Sequence, residues 1–181
     1  SALEFLPNNQ KKFYIPNPSD TSFETLNNFD SSCSVDVFFA LSHGVHRGKL
    51  KSGKKDDRID FLNKLQDITP DTKFDLYGIN NVQPIWADHY FKTISKAKMG
   101  LNLSRGEAIK YYSSDRITQI VGNGLVCLID EKTQYSNFFD RDEMIFYKNV
   151  NDLSEKIQKI SRDEKLRRKI AKKGKMKYMK Y

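Results

Sequence analysis

The chain has 181 residues, enough for one domain with a real core and no need of staples. Its two cysteines, Cys33 and Cys127, sit beside apolar residues and read as small buried hydrophobes of a reducing compartment; there is no metal-type cysteine spacing, no apolar run near the ~20 residues of a membrane span and no visible signal peptide. The net charge of +8 is unevenly spread: residues 151–181 hold twelve Lys or Arg against four Asp or Glu, whereas the other 150 hold nineteen of each, so a neutral domain carries a basic tail.

Residues 1–32 are expected to be a linker or extension packed on the domain, because "FLPNNQKKFYIPNPSDTSFE" sets three prolines within twelve residues. The domain is expected over 33–181, where the pattern alternates. "SVDVFFALS" (34–42) predicts a first strand, and "HGVHRGKLKSGKKDD" a loop rich in glycine and lysine. "RIDFLNKLQDI" places Phe61, Leu62, Leu65 and Ile68 on one helical stripe. "KFDLYGI" (73–79) predicts a second strand, "ADHYFKTISKA" a helix and "MGLNLS" (99–104) a third strand. "YYSSDRITQIVGNG" (111–124) predicts a helix that stops at glycine, followed by strands "LVCLID" (125–130) and "EMIFYKN" (143–149). "DLSEKIQKI" has Leu153, Ile157 and Ile160 in phase, and a basic helix from about Asp163 is expected still to be running at Tyr181. Strands that are apolar on both faces and alternate with helices imply right-handed crossovers. The expected fold is a Rossmann-like, doubly wound α/β domain with a mainly parallel sheet.

In such a sheet ligands lie outside the carboxyl ends of the strands, near the switch in strand order. That rule selects the loops after Ser42, Ile79, Ser104 and Asp130. After Ser42, five cations including Arg47 and Lys49 lie within nine residues, among Gly44, Gly48 and Gly53. Glycines let backbone N–H groups approach an anion and the cations supply charge, so a phosphate clamp is one reading and a solvated basic loop the other. Walker spacing and a GxGxxG fingerprint are both absent. His43 and His46 lack a third ligand, and no metal is expected. After the third strand, Ser113 or Ser114 reads as a helix N-cap. The helix start attracts anions, Arg116 adds a donor fork for phosphate, Asp115 suits sugar or ribose hydroxyls, and Gln119 lies one turn on along the same face. The plain alternative is that Asp115 complements the helix dipole and Arg116 forms a surface ion pair. Together, at a ligand edge, the cluster favours a nucleotide site. Weaker candidates are Tyr77 and Gly78, which end a strand where a base could lie, then Ser104, and Arg105, which either binds or pairs with Glu107. Trp86, Tyr90 and Phe91 read as packing.

From about Val35 to Tyr178, "DVFFALS…R", "FDLYG", "YFKTISKAKMGLNLS", "SDRITQIVGNGLVCLID" and "EMIFYKNVNDLSEKIQKISRDEKLRRKIAKKG", in that order, resemble the C-terminal, donor-binding domain of bacterial GT-B glycosyltransferases of the group 1 type. "YIPNP" resembles the segment that leaves their N-terminal domain. The resemblance implies half of a GT-B fold and a nucleotide-diphosphate sugar as donor, with no cofactor or bound metal. It implies hexosyl-type transfer to a hydroxyl of a glycan or lipid-linked acceptor, in cell-surface polysaccharide synthesis. The acceptor would be held by an N-terminal domain that this sequence lacks, so the chain by itself is expected to be inactive. In many of these enzymes a Glu, seven residues and a second Glu precede a Gly-ended helix, and the second Glu holds ribose; Tyr111 and Gln119 stand there in this chain. The helix start is also similar to the Thr-Glu-Lys start of the alpha-1,3-fucosyltransferases, with Ser114, Asp115 and Arg116 in those places. By that likeness Asp115 takes ribose and Arg116 the diphosphate. Arg47, Lys49 and Arg116 would stabilise charge on the leaving group. The rival readings are an epimerase of the same fold, with Glu107 and Asp115 as its few carboxylates, and a non-enzymatic nucleotide- or polyanion-binding module. No nucleic-acid partner is expected, since only Tyr178 and Tyr181 interleave the tail. A weak contact with an anionic membrane fits the tail, and the expected location is cytoplasmic, peripheral to the inner face of the plasma membrane.

Overall fold

The apolar runs pair into one sheet. In the computed structural model, which describes residues 7, 9–11, 13, 16–42 and 56–181, the strands are β1 (Val35–Ala40), β2 (Phe74–Tyr77), β3 (Ala97–Asn102), β4 (Val126–Asp130) and β5 (Ile145–Tyr147). All neighbours pair in parallel, in the order β2-β1-β3-β4-β5. From β1 the chain moves outward to β2, returns past β1 to β3, and then steps through β4 to β5. The order therefore reverses between β1 and β3, which makes the domain a doubly wound, Rossmann-like α/β fold with a wholly parallel sheet.

Successive side chains on each strand serve opposite cores. Val37, Phe39, Met99, Leu101, Val126 and Leu128 pack toward α1 (Asp57–Ile68) and α4 (Val150–Arg162). Phe38, Cys127 and Ile129 pack toward α2 (Ala87–Ile94) and α3 (Asp115–Gly122). Full burial of such side chains stabilises by about 1.5–3 kcal/mol each, and strands buried on both faces need apolar residues at nearly every position. α3 lies unusually close to the sheet: a Cβ added at Gly100 would come within 2.4 Å of the Ile120 side chain. The turn into β4 needs φ +75° at Gly124, a left-handed conformation that glycine adopts at least cost.

α5 (Glu164–Tyr178) ties the end of the chain to the residues before the sheet. Its Arg167, fully buried, donates from Nη1 to the Asn28 carbonyl at 2.7 Å and from Nη2 to the Ser31 carbonyl at 3.2 Å. Asn28 is buried too, and its amide donates to the carbonyls of Ile94 and Ala97 at 2.8 and 2.9 Å.

Several bounds differ from expectation. α2 ends at Ile94 and β3 already begins at Ala97, where the periodicity suggested a longer helix and a later strand. β5 is only three residues long. α5 does not run to Tyr181: it closes at Tyr178, and the N–H groups of Lys180 and Tyr181 bond the carbonyls of Lys177 and Tyr178 in a tightened last turn. Both cysteines are free, and Cys127 is buried as expected, but Cys33 is only half-buried, beside the Arg167 guanidinium. Among the described residues no helix is long and apolar enough to cross a membrane.

Candidate functional site

The switch between β1 and β3 opens a cleft of about 560 Å³ at the carboxyl edge of the sheet. Its floor is the end of β1 through Ser42; one wall is the first turn of α3 and the other the start of α2.

α3 begins without the expected serine cap. Ser114 occupies the N-cap position in extended conformation but makes no capping bond. Its hydroxyl donates instead to the Asn102 Oδ1 at 3.2 Å, at the end of β3. That leaves the Asn102 amide nitrogen buried without a partner among the described residues. The Ser113 hydroxyl accepts the Asn17 backbone N–H at 2.8 Å and is not part of the cleft lining. The Ile117 N–H bonds the Ser114 carbonyl at 2.9 Å, and among the described residues those of Asp115 and Arg116 have no partner, with the positive end of the helix dipole behind them.

Arg116 sits on this wall, half-buried, with its guanidinium 5.0 Å above the Phe39 ring. Nη1 donates to the Leu103 carbonyl at 3.1 Å, and among the described residues no carboxylate pairs with it. Burial pushes its pKa below the ordinary arginine value, and the nearby Arg58 pushes the same way. Both effects would be relieved by an anion in the cleft. The surface ion pair of the plain alternative is not formed among the described residues, because the side chain turns inward across the sheet end.

Asp115 lines the cleft and is exposed, but its Oδ1 already accepts the Asn17 Nδ2 at 2.6 Å. Gln119, half-buried, lines the same wall one turn further on. Its backbone carbonyl accepts the Asn123 amide at 2.9 Å, while its side-chain amide has no protein partner among the described residues.

The opposite wall is aromatic, which sequence reasoning missed. Trp86, taken as packing, stands at the N-cap of α2 and is 61% exposed at the cleft mouth. The next residue, Ala87, has φ +48°, a conformation uncommon for a residue with a Cβ. Tyr112 is exposed across the same cleft. Tyr90 and Phe91 line it below, and Tyr90 meets Phe38 edge-on at 5.4 Å, with burial pushing its hydroxyl pKa well up. The available signal was an aromatic in "PIWADH" at a position where a helix usually carries a capping side chain.

A second missed feature lies beside Arg116. Asp56 caps α1 by accepting the Arg58 N–H at 3.1 Å and forms a bidentate pair with the Arg58 guanidinium at 2.8 and 2.5 Å, both residues being buried. The Arg58 side chain holds the Asp56 carboxyl below the usual carboxylate range.

Of the remaining candidates, the described ones do not line the cleft. Tyr77 ends β2, the outermost strand, and meets His89 edge-on at 6.2 Å. Gly78 (φ +75°) follows it in a turn whose N–H bonds the Val82 carbonyl, so neither residue lines the cleft. Ser104 and Arg105 lie in the β3–α3 loop, outside the lining, and Arg105 makes no ion pair with Glu107. Gly44, Arg47 and Lys49 lie outside the described residues, as do His43 and His46. Among the described residues no group of three or more His, Cys, Asp or Glu could hold a metal ion.

Comparison with known proteins adds three findings. A family model described as glycosyl transferase-like matches residues 58–181. A search of curated proteins by sequence finds no match. The chain is similar in structure to TarM, known from a crystal structure, with a TM-score of 0.60 and 14% identity over 93% of this chain. At that identity the likeness is one of fold, and this chain spans about a third of the TarM chain, 34%.

Proposed function

We propose that the cleft is the donor site of a glycosyl transfer reaction, and the premise is family membership: this chain belongs to the glycosyl transferase-like family, whose model covers residues 58–181. Its doubly wound parallel sheet is the Rossmann-like half of a GT-B fold. The observation that carries the reading is Arg116, a half-buried guanidinium without a counter-charge among the described residues, beside an uncapped helix start in the cleft at the strand switch.

The donor in this reading is a nucleotide-diphosphate sugar. Its diphosphate lies over the first turn of α3 against Arg116. Gln119 takes the ribose hydroxyls with its unpaired amide, and Asp115 adds the oxygen that Asn17 leaves open. Trp86 and Tyr112 offer π faces to the base. An acceptor hydroxyl, from a glycan or lipid-linked chain, attacks the anomeric carbon while the bond to the diphosphate oxygen breaks. Negative charge grows on that leaving oxygen, where Arg116 and the α3 N–H groups are already aimed, so stabilisation needs no rearrangement. The acceptor and the general base come from outside this chain, which supplies the donor-binding, C-terminal half of a hexosyltransferase-type enzyme of cell-surface glycan synthesis. The start Ser114-Asp115-Arg116 supports a fucosyltransferase-like grip on the diphosphate. An epimerase has less support, because among the described residues Asp115 is the one carboxylate lining the cleft and Asn17 already engages it.

Calorimetric titration with UDP, GDP, TDP and CMP tests the site. One of them should bind, and Arg116→Ala should weaken it roughly 10- to 100-fold, the value of a charge-assisted hydrogen bond. Failure of all four to bind, or equal binding by the variant, overturns the assignment.

A further inference from the structure

The basic tail is not absorbed by the cleft. α5 buries Arg167, Ile170, Ala171, Gly174 and Tyr178, which share one face. The opposite face runs Lys165, Lys169, Lys172 and Met176, continued by Lys180 in the turn after the helix, at steps of three and four residues, all exposed. A helix brings such positions into one stripe. Three other cations of this helix are matched: Arg167 and Arg168 pair with Glu164, the latter at 2.9 Å, and Lys173 with Asp142. The four lysines of the stripe have no carboxylate partner among the described residues.

Three large apolar side chains stand exposed around the C-terminal end of this stripe. Met176 is 60% exposed and Tyr181 52%. Phe23, 66% exposed, precedes Glu24, whose carbonyl lies 3.4 Å from the Lys175 Nζ. This end of α5 is also the cleft's end of the molecule. The Tyr178 hydroxyl donates to the Asn17 carbonyl at 2.7 Å, and the Asn17 side chain holds Asp115.

We infer that this face docks on the surface of a bilayer rich in anionic lipid, with the lysines over the headgroups and Phe23 and Met176 entering the headgroup layer. Charge complementarity supplies attraction, and exposed apolar side chains at the rim add what a purely solvated lysine face lacks. A single-stranded nucleic acid would need a row of exposed rings for its bases, but Tyr178 is buried, and Tyr181, past the end of α5, is a single exposed ring. α5 is too polar to insert, so the chain lies on the surface. The cleft then opens beside the bilayer, within reach of an acceptor anchored there. The docking surface itself does not depend on the donor-site reading.

The test is co-sedimentation of the 181-residue chain with vesicles of phosphatidylcholine alone or with about 30% phosphatidylglycerol, at ionic strengths of about 0.05 and 0.5 M. Binding should require the anionic lipid and fall at high salt. Each surface lysine near an anionic membrane is worth roughly a fivefold change in partitioning, so Lys165→Gln/Lys169→Gln/Lys172→Gln together should weaken binding about a hundredfold. These side chains are exposed, and an unchanged melting curve would show that the fold persists. Met176→Asp should weaken binding further, and that loss should persist at high salt. Equal binding to neutral vesicles, wild-type binding by the triple variant, or retention on a single-stranded oligonucleotide with none on vesicles would each overturn the inference.

Discussion

Arg116 and Arg58 show how differently one residue type is used at a single sheet edge. Arg58 is saturated by Asp56 in a buried bidentate pair, whereas Arg116 keeps most of its donor fork for the cleft. The Arg58–Asp56 pair should be felt in stability. Removing one partner of a buried pair strands the other charge, so Asp56→Asn should cost about 3–5 kcal/mol in urea unfolding. The pH dependence follows from the sign of the shift. The Asp56 carboxyl is depressed in the folded state by Arg58, so its stabilisation is complete above the ordinary carboxylate pKa and is lost as pH falls through the depressed value. Asp56→Asn should therefore flatten the acid limb of the stability profile and leave the slope above about pH 6 unchanged; a parallel shift at all pH values would refute the pairing. Of these side chains, Arg116, Asp115 and Gln119 were legible because their spacing on a helix start carries its own geometry. Arg58 and Trp86 were not. Both sit in helical patterns where packing is the commoner role, and what distinguishes them is which element faces them across the fold.

At the scale of elements, α3 is held in place by contacts distant in sequence. Asn17 reaches it across 98 positions to bond Asp115, and its carbonyl accepts from the Thr118 and Tyr178 hydroxyls at 3.1 and 2.7 Å. That arrangement explains why a local cap at Ser113 or Ser114 fails: both hydroxyls are drawn to partners that no local pattern announces, Asn17 and Asn102. The order and type of elements, by contrast, could be read from apolar periodicity alone, because both faces of every strand must be covered. Two substitutions probe the anchoring. Asn17→Ala removes the side-chain bond but keeps the backbone ones, so it should cost about 1 kcal/mol, and adding Asp115→Ala should cost little more. Additive losses in that double-mutant cycle would count against the latch. Gly100→Ala forces a methyl against Ile120, an overpacking expected to cost about 1–3 kcal/mol in denaturant unfolding. Because Ile120 shares α3 with Arg116, the same variant should also weaken nucleotide binding, whereas a core change away from α3, such as Leu65→Ala, should leave affinity intact in the folded fraction.

For the whole molecule, the sheet order places the switch at β1 and β3, and the loop that was expected to supply Arg47 and Lys49 begins there, just past Ser42. Among the described residues the cleft offers a guanidinium, an uncapped helix start, one amide, the Asp115 carboxylate and two exposed rings. On the donor-site reading those groups would hold a diphosphate and a base, since binding needs complementary groups and no second reactant. Transfer needs more. The acceptor oxygen must sit in line behind the anomeric carbon at about 3–3.5 Å, and water must be kept from taking its place; effective concentrations gained by such positioning are large, up to ~10⁸ M. In the donor-site reading the acceptor is held from outside this chain, so nothing in the described cleft keeps it in line. The purified chain is therefore expected to bind its preferred nucleoside diphosphate at roughly 0.1–1 mM, where few contacts offset the loss of motional freedom, and to release no nucleotide from the corresponding nucleotide sugar. A coupled assay for released nucleoside diphosphate, run beside the titration, separates the two outcomes. Binding without release agrees with a donor half. Release above the spontaneous rate would show that the catalytic machinery is already complete in this chain, and Asp115 would then be the first carboxylate to test as its base.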